Sequence, residues 1–364
     1  LVAADDPVSK YGNFAIDTYK LALRAYVATQ ALDKAESTME SLDKLVSSSG
    51  DANAATQLTR IYIALGRELE QQLQRLRQEQ KADELAAVSK GFELFLDRIE
   101  QRATGNTFSS LNWVAETFFS LGSGYDAGGA KEAPPEATAY YKKSLDTDEK
   151  ILKTLQSEKD FAPEGAVAAV ELRMARTHRR IKDFEKARDL LVEVLKNKSN
   201  LLDAQAEAAR NFQDWGAEKP EYYMKAIAGD VKHKTKEGRP ENLLWGWAKI
   251  AVRTQSQKTL ENSFYEARYN QAKCYMELSK KKTGPERTET LGKAERDIIY
   301  TFKLRPQLGG PEWRKKFDTL LRSVQQLQGK SRPTGLPTEQ SKPATAVQPV
   351  STGVQPVSTG SGSK

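Results

Sequence analysis

Two histidines, one cysteine and 49 Asp and Glu residues are the groups with which this chain could shuttle protons, attack a substrate or hold a metal. Histidine is the usual proton carrier near neutral pH. His178 follows Ala175 by three residues on an apolar helical stripe, a spacing that predicts a packed, hydrogen-bonded core position. His233 lies in the basic run Val231-Lys232-His233-Lys234-Thr235-Lys236, read as a loop, and lacks a neighbour at ligand spacing. Neither histidine belongs to a zinc motif of the His-Glu-x-x-His kind. Cys274 stands one residue before Tyr275 on an apolar helix, which predicts a buried structural thiol. Gly122-Ser123-Gly124 has two of the three glycines of a dinucleotide fingerprint without the strand that must precede it. Glu68 with Glu70 and Asp97 with Glu100 read as solvated helix faces. The expectation is a protein that is not an enzyme, with no catalytic, cofactor-binding or metal-binding residues.

Binding is better represented. In Asn242–Ile250, Leu243, Trp247 and Ile250 share one helical face, and Trp245 points roughly 200° away from Trp247 at about 100° per residue. Both tryptophans read as core; the sharper alternative makes Trp245 an exposed aromatic anchor in a groove. Lys232, Lys234, Lys236, Arg239, Lys249 and Arg253 surround it, and Lys280, Lys281, Lys282, Arg314, Lys315 and Lys316 extend the basic surface. Such charge is either solubilising or a docking surface for acidic protein segments or an anionic polymer, such as cell-envelope polysaccharide. Nucleic acid is the weaker expectation, because no nucleic-acid motif accompanies the charge. The asymmetry is real: residues 219–332 carry 25 Lys and Arg against 13 Asp and Glu, whereas residues 1–218 carry 29 against 35. A split of this kind steers an anionic partner to one end of the molecule.

The elements that must position these groups are helices. Leu58, Ile61, Tyr62, Leu65, Leu69, Leu73 and Leu76 recur at offsets of three and four, as do Leu85, Val88, Phe92, Phe95, Leu96 and Ile99. They predict a long antiparallel pair or one bent helix. Phe14, Tyr19, Leu23, Tyr26 and Val27, then Met39, Leu42, Leu45 and Val46, predict another pair closed by the loop around Gly50. No segment alternates with period two, so the class is all-α. No apolar run approaches the roughly 18 residues of a membrane span.

A repeat starts near residue 105. Leu121-Gly122-Ser123-Gly124-Tyr125 supplies a small residue where two helices approach and an aromatic one turn on, and Ala137 through Leu145 supplies the partner helix. The small-then-aromatic pair returns as Ala175/His178, Ala209/Phe212 and Ala272/Tyr275. Ala187 opens a second helix after Asp183-Phe184, and Ala294 is followed by Pro306 twelve residues later. In these residues the chain resembles the tetratricopeptide repeat family over about residues 105–328, with good motifs in three units and a weaker one at 200–229. Its loops are longer and its spacing less regular than the family's. The resemblance implies an α-solenoid of stacked antiparallel helical hairpins. It also implies a protein–protein interaction scaffold that holds an extended peptide or helix in its groove.

The expected organisation is a leader remnant or extended segment over 1–10, helical hairpins over 11–104, the repeats with a capping helix over 105–328, and a tail over 329–364. The tail contains Val347-Gln348-Pro349-Val350-Ser351-Thr352-Gly353 and repeats it verbatim as residues 354–360. Its Pro, Ser, Thr and Gly content predicts disorder. Val2-Ala3-Ala4 resembles the end of a secretory cleavage site, so export to a periplasm or cell envelope is expected, with the cytoplasm as alternative.

Overall fold

In the computed structural model the described residues are 13–29, 31–48, 54–79, 81–102, 105–126, 128–129, 131–234 and 238–337. Residues 1–10, the loop at Gly50, Lys236 and the repeated tail sequence at 347–360 lie outside them. Among the described residues there are fourteen α-helices and one two-stranded hairpin. The first six helices are α1 (Asn13–Ala28), α2 (Leu32–Ser48), α3 (Ala54–Gln78), α4 (Ala82–Glu100), α5 (Phe108–Tyr125) and α6 (Pro135–Ser157). Then follow α7 (Ala166–Arg180), α8 (Phe184–Asn197), α9 (Leu202–Trp215) and α10 (Glu221–Ala228). The hairpin β1 (Asp230–Lys234) and β2 (Pro240–Leu244) precedes α11 (Trp247–Thr254), α12 (Glu261–Ser279), α13 (Gly284–Leu304) and α14 (Pro311–Leu327). No described helix is long and apolar enough to cross a membrane.

Consecutive helices pack on one another, and α3 touches α5, α5 touches α7, α7 touches α9 and α12 touches α14 across the intervening element. The helical periodicity places its apolar residues correctly: Leu58, Tyr62, Leu65, Phe92, Phe95 and Ile99 are buried in one cluster. Two helices form here, separated at Lys81, and no bent one. That cluster also takes in Val114, Phe118, Leu121 and Tyr140, so packing runs across the expected boundary at 104/105. Phe14 departs from its expected core role and is 64% exposed.

The small residues of the repeat sit where helices approach. Ala137, Ala175, Ala187, Ala209, Ala272 and Ala294 are all fully buried. A Cβ at Gly122 would lie 2.8 Å from the Tyr141 ring, so only glycine allows α5 to approach α6 at this point. The aromatic that follows each small residue is less uniform. Phe212 is buried and Tyr275 partly so, whereas Tyr125 is 40% exposed and lies over Tyr140 instead. Pro306 is exposed two residues after α13 ends.

The hairpin corrects the expectation of helix and loop throughout. Lys232 pairs with Asn242 and Lys234 with Pro240 in antiparallel register. Its base is fixed by Gly229, at φ +85°, where a Cβ would meet the Leu244 carbonyl oxygen at 2.3 Å. Gln205 of α9, fully buried, donates from Nε2 to the Leu243 carbonyl at 2.9 Å and accepts from the Trp245 amide at 2.7 Å. The tail begins later than expected, because residues 333–336 return along α14. Leu336 is buried, its amide donates to Asp318 Oδ1 at 2.7 Å, and Gln325 Oε1 accepts from the Gly335 amide at 3.1 Å.

Two predictions follow from this packing. Ala175→Leu and Ala272→Leu should each overfill a helix–helix contact and lower the free energy of unfolding by roughly 1–3 kcal/mol, measured by urea denaturation. His178 is buried with Nδ1 3.2 Å from Asp183 Oδ2, but neither ring nitrogen makes an aligned hydrogen bond. Burial first, then Lys186, depresses its proton affinity, against the opposing pull of Asp183. The unfolded chain therefore takes up this proton first as pH falls, so the stability present above about pH 6.5 declines on acidification below it. His178→Phe should flatten that part of the stability profile.

Candidate functional site

The polar residues of α7, α9 and α12 form side-chain networks between helices. On α7, Arg173 donates from Nε to both carboxylate oxygens of fully buried Asp148, at 3.1 and 3.0 Å, and from Nη1 to Asn112 at 2.9 Å. Further along α7, Arg179 reaches Glu207 at 2.5 Å and Asp214 at 2.6 Å, both on α9. Arg180 donates from Nε to Asp126 at 2.7 Å. Glu207 also takes Arg210 at 3.3 Å, and Arg210 continues to Glu266 of α12 at 2.6 Å. Burial pushes the Glu207 carboxyl up, but Arg179, Arg210 and Arg176 outweigh it and hold it below the ordinary carboxylate range. Gln213 of α9 then donates to Asn270 of α12 at 3.2 Å, while its Oε1 accepts from Trp247 Nε1 at 2.9 Å and from Cys274 at 3.4 Å. Cys274 is fully buried, and burial raises its thiol pKa, the opposite of an activated nucleophile.

These networks hold helices together and spend their hydrogen bonds doing so. Beyond Glu266 the pattern changes. Asn262, Ser263, Glu266, Tyr269 and Asn270 of α12 face Trp313 and Lys316 of α14 across an open hollow of about 470 Å³. A second hollow of about 430 Å³ opens on the other side of Tyr269, lined by Glu312, Lys315, Lys316 and Thr319. Trp313 donates to Asn262 Oδ1 at 3.3 Å, and Lys316 Nζ sits 4.6 Å from the Trp313 ring centre, a cation–π contact that fixes the ammonium at the rim. Ser263, Tyr269 and Asn270 line the first hollow, and Glu312 stands with Lys315 and Lys316 in the second.

The residues singled out from sequence are brought together only in part. Trp245 is 6% exposed, which corrects the exposed-anchor alternative and places it in the main core cluster with Trp247. Lys249 lies 4.6 Å and Arg253 5.6 Å from its ring centre, so both cations cover the indole. Lys249 is also paired with Glu241 of β2. Opposed residues of an antiparallel ribbon share a face. His233 and Glu241 therefore share the face toward Lys249, and Lys232 and Lys234 project from the opposite face with Asn242 and Pro240. Arg239 is exposed just before β2, and Lys236 lies outside the described residues. The basic cluster is thus divided by the ribbon, because strand alternation separates residues that helical or loop spacing would have grouped.

Among the described residues no group of three or more His, Cys, Asp or Glu side chains is placed to hold a metal ion. No protein-family model matches the chain, and no curated protein matches it. The sequence placed Lys315 and Lys316 in the basic surface, and the polar face of α12 was passed over. The signal was present in Asn262, Glu266, Tyr269 and Asn270 at helical offsets, opposite the buried Phe264, Ala267, Gln271 and Cys274.

The buried network generates a stability prediction. Glu207→Gln leaves Arg179 and Arg210 partly uncompensated in the interior, and it should cost roughly 3–5 kcal/mol in denaturant unfolding.

Proposed function

We propose that this chain is a non-catalytic scaffold of the tetratricopeptide type, its helical hairpins stacked as a solenoid and its first helices presenting a groove to an extended peptide or helix of another protein. The observation that carries the reading is the contrast along α7, α9, α12 and α14. The arginines of α7 and α9 are paired with carboxylates as far as Glu266, and beyond it Asn262, Ser263, Tyr269, Asn270, Trp313 and Lys316 line an open hollow. Buried small residues at the helix contacts support the repeat assignment. A buried unreactive thiol supports a binding role over catalysis. Binding of an anionic polymer is less well supported, since the ribbon splits the cations that would have formed its track.

The test is photocrosslinking in the native cell from a benzophenone amino acid placed at Thr319, an exposed residue on the rim. The expected outcome is a discrete protein adduct that is lost when Tyr269 and Trp313 are replaced by Ala in a variant retaining its helical circular dichroism. Adducts formed equally by the double variant would place the partner elsewhere. Purified binding should weaken only modestly between about 50 and 200 mM salt, whereas polymer binding by counterion release falls by orders of magnitude over that range.

A further inference from the structure

Residues 333–337 lie on α14 as a bound peptide would. Arg314, Asp318, Arg322 and Gln325 succeed one another at offsets of four, four and three, so they share one face of the helix. At the two ends, Arg322 Nη1 donates to the Pro333 carbonyl at 2.9 Å and Arg314 Nη2 to the Pro337 carbonyl at 2.9 Å. Between them Gln325, itself 4% exposed, donates to Thr334 Oγ1 at 3.3 Å and accepts from the Gly335 amide at 3.1 Å. Asp318 Oδ1 accepts from the Leu336 amide at 2.7 Å. Three positions are read for their identity. Thr334 supplies a hydroxyl, and Leu336 is buried in the main core cluster. Gly335 has φ +69°, and a Cβ there would lie 2.2 Å from Asp318 Oδ1. The end residues give α14 carbonyl hydrogen bonds, which any residue can supply.

The chain contains five Thr-Gly pairs, and only those at Thr334 and Thr352 are followed by a branched aliphatic residue, Leu336 and Val354. We infer that this face of α14 is a docking site for a Thr-Gly-aliphatic segment, and that Thr352-Gly353-Val354 of the same chain is its second occupant. Ser351 and Gln355 then offer the end carbonyls to Arg322 and Arg314. The strap at 333–337 has the advantage, because α14 ends at Leu327 and Thr334 lies seven residues beyond it, against 25 for Thr352. The shorter loop closes more readily by roughly sevenfold. Leu336 also buries one methylene more than Val354, a further factor of roughly four. The tail segment therefore holds the site in roughly 4% of chains and takes it over when the strap is dislodged. The exchange moves the anchor point of the tail from residue 337 to residue 355.

A benzophenone amino acid at Gln355 of the full chain, photolysed and mapped by mass spectrometry, tests the assignment. The parent should give a low-yield adduct on α14 within one chain. Gly335→Val, which forces a side chain against Asp318, should raise the yield at least about tenfold by expelling the strap. Leu336→Asn, which leaves the glycine in place and removes the apolar contact, should raise it as well. Both variants are compared at retained helical circular dichroism. Adding Gly353→Val should abolish the adduct in either of them and in the parent, where the substitution lies far outside the helices. A yield unchanged by both strap substitutions would overturn the shared site. So would an adduct on α14 that survives Gly353→Val in the parent, a result that stands whether or not the strap variants fold. An adduct joining two copies, recognised by mixing isotopically light and heavy chains, would overturn the same-chain occupant.

Discussion

Glu207 is a carboxylate with 2% of its side chain exposed, and the arrangement of the carboxyl-terminal half depends on keeping it charged there. Burying an isolated carboxylate costs far more than a single helix contact returns. The cost is met by Arg179 from α7 and Arg210 from its own helix, with Arg176 at 3.8 Å, and Arg210 carries the connection to α12 through Glu266. Because the pair geometry tolerates little displacement, α7, α9 and α12 are held in one relative register. The same register brings Gln213 to Asn270 and Cys274.

A second constraint fixes the insertion that interrupts the helices. Gln205 uses both ends of its amide on the chain leaving β2, and Gly229 passes the Leu244 carbonyl where no side chain would fit. The ribbon is therefore anchored at its base by α9, the helix that also carries Glu207. Trp245 and Trp247 enter the core from this anchored segment, and Trp247 reaches Gln213 in turn. Three separate functions of α9, holding charge, holding the ribbon and supporting α12, fall on faces of one fourteen-residue helix.

The candidate site lies where this interior network ends. Along α7 and α9 the guanidinium groups of Arg173, Arg179 and Arg210 have found carboxylates, although both ring nitrogens of His178 and Asn211 Oδ1 stay without a hydrogen bond. Past Glu266, α14 meets α12 through Tyr269, Trp313 and Phe317, and Tyr269 and Trp313 line the hollow beside that contact. The strap at 333–336 braces α14 from its other side through Asp318, Arg322 and Gln325.

Much of the helical architecture was legible in the sequence, because burial of a 3.6-residue stripe imposes a period that local reading can detect. Leu58 through Leu76, Val88 through Ile99 and the small residues Ala137, Ala175, Ala209, Ala272 and Ala294 were all placed in contacts by that period alone. The ribbon was not legible. Asp230–Lys234 has no apolar alternation, and its pairing is imposed by Gln205, 25 residues upstream in the chain, and by a glycine crossing. For the same reason the basic residues near Trp245 read as one cluster and fold as two faces. The hollow at Tyr269 and Trp313 escaped local reading because it forms between α12 and α14, which are not adjacent in sequence. Whether a donor is spent depends on acceptors 26 to 57 positions away, as with Gln271 and Asp297 or Gln213 and Asn270. The sequence by itself determined which residues turn inward on each helix. Only the tertiary structure decided which polar groups pair with one another, since hydrogen-bond satisfaction is a property of distant pairs and not of local spacing.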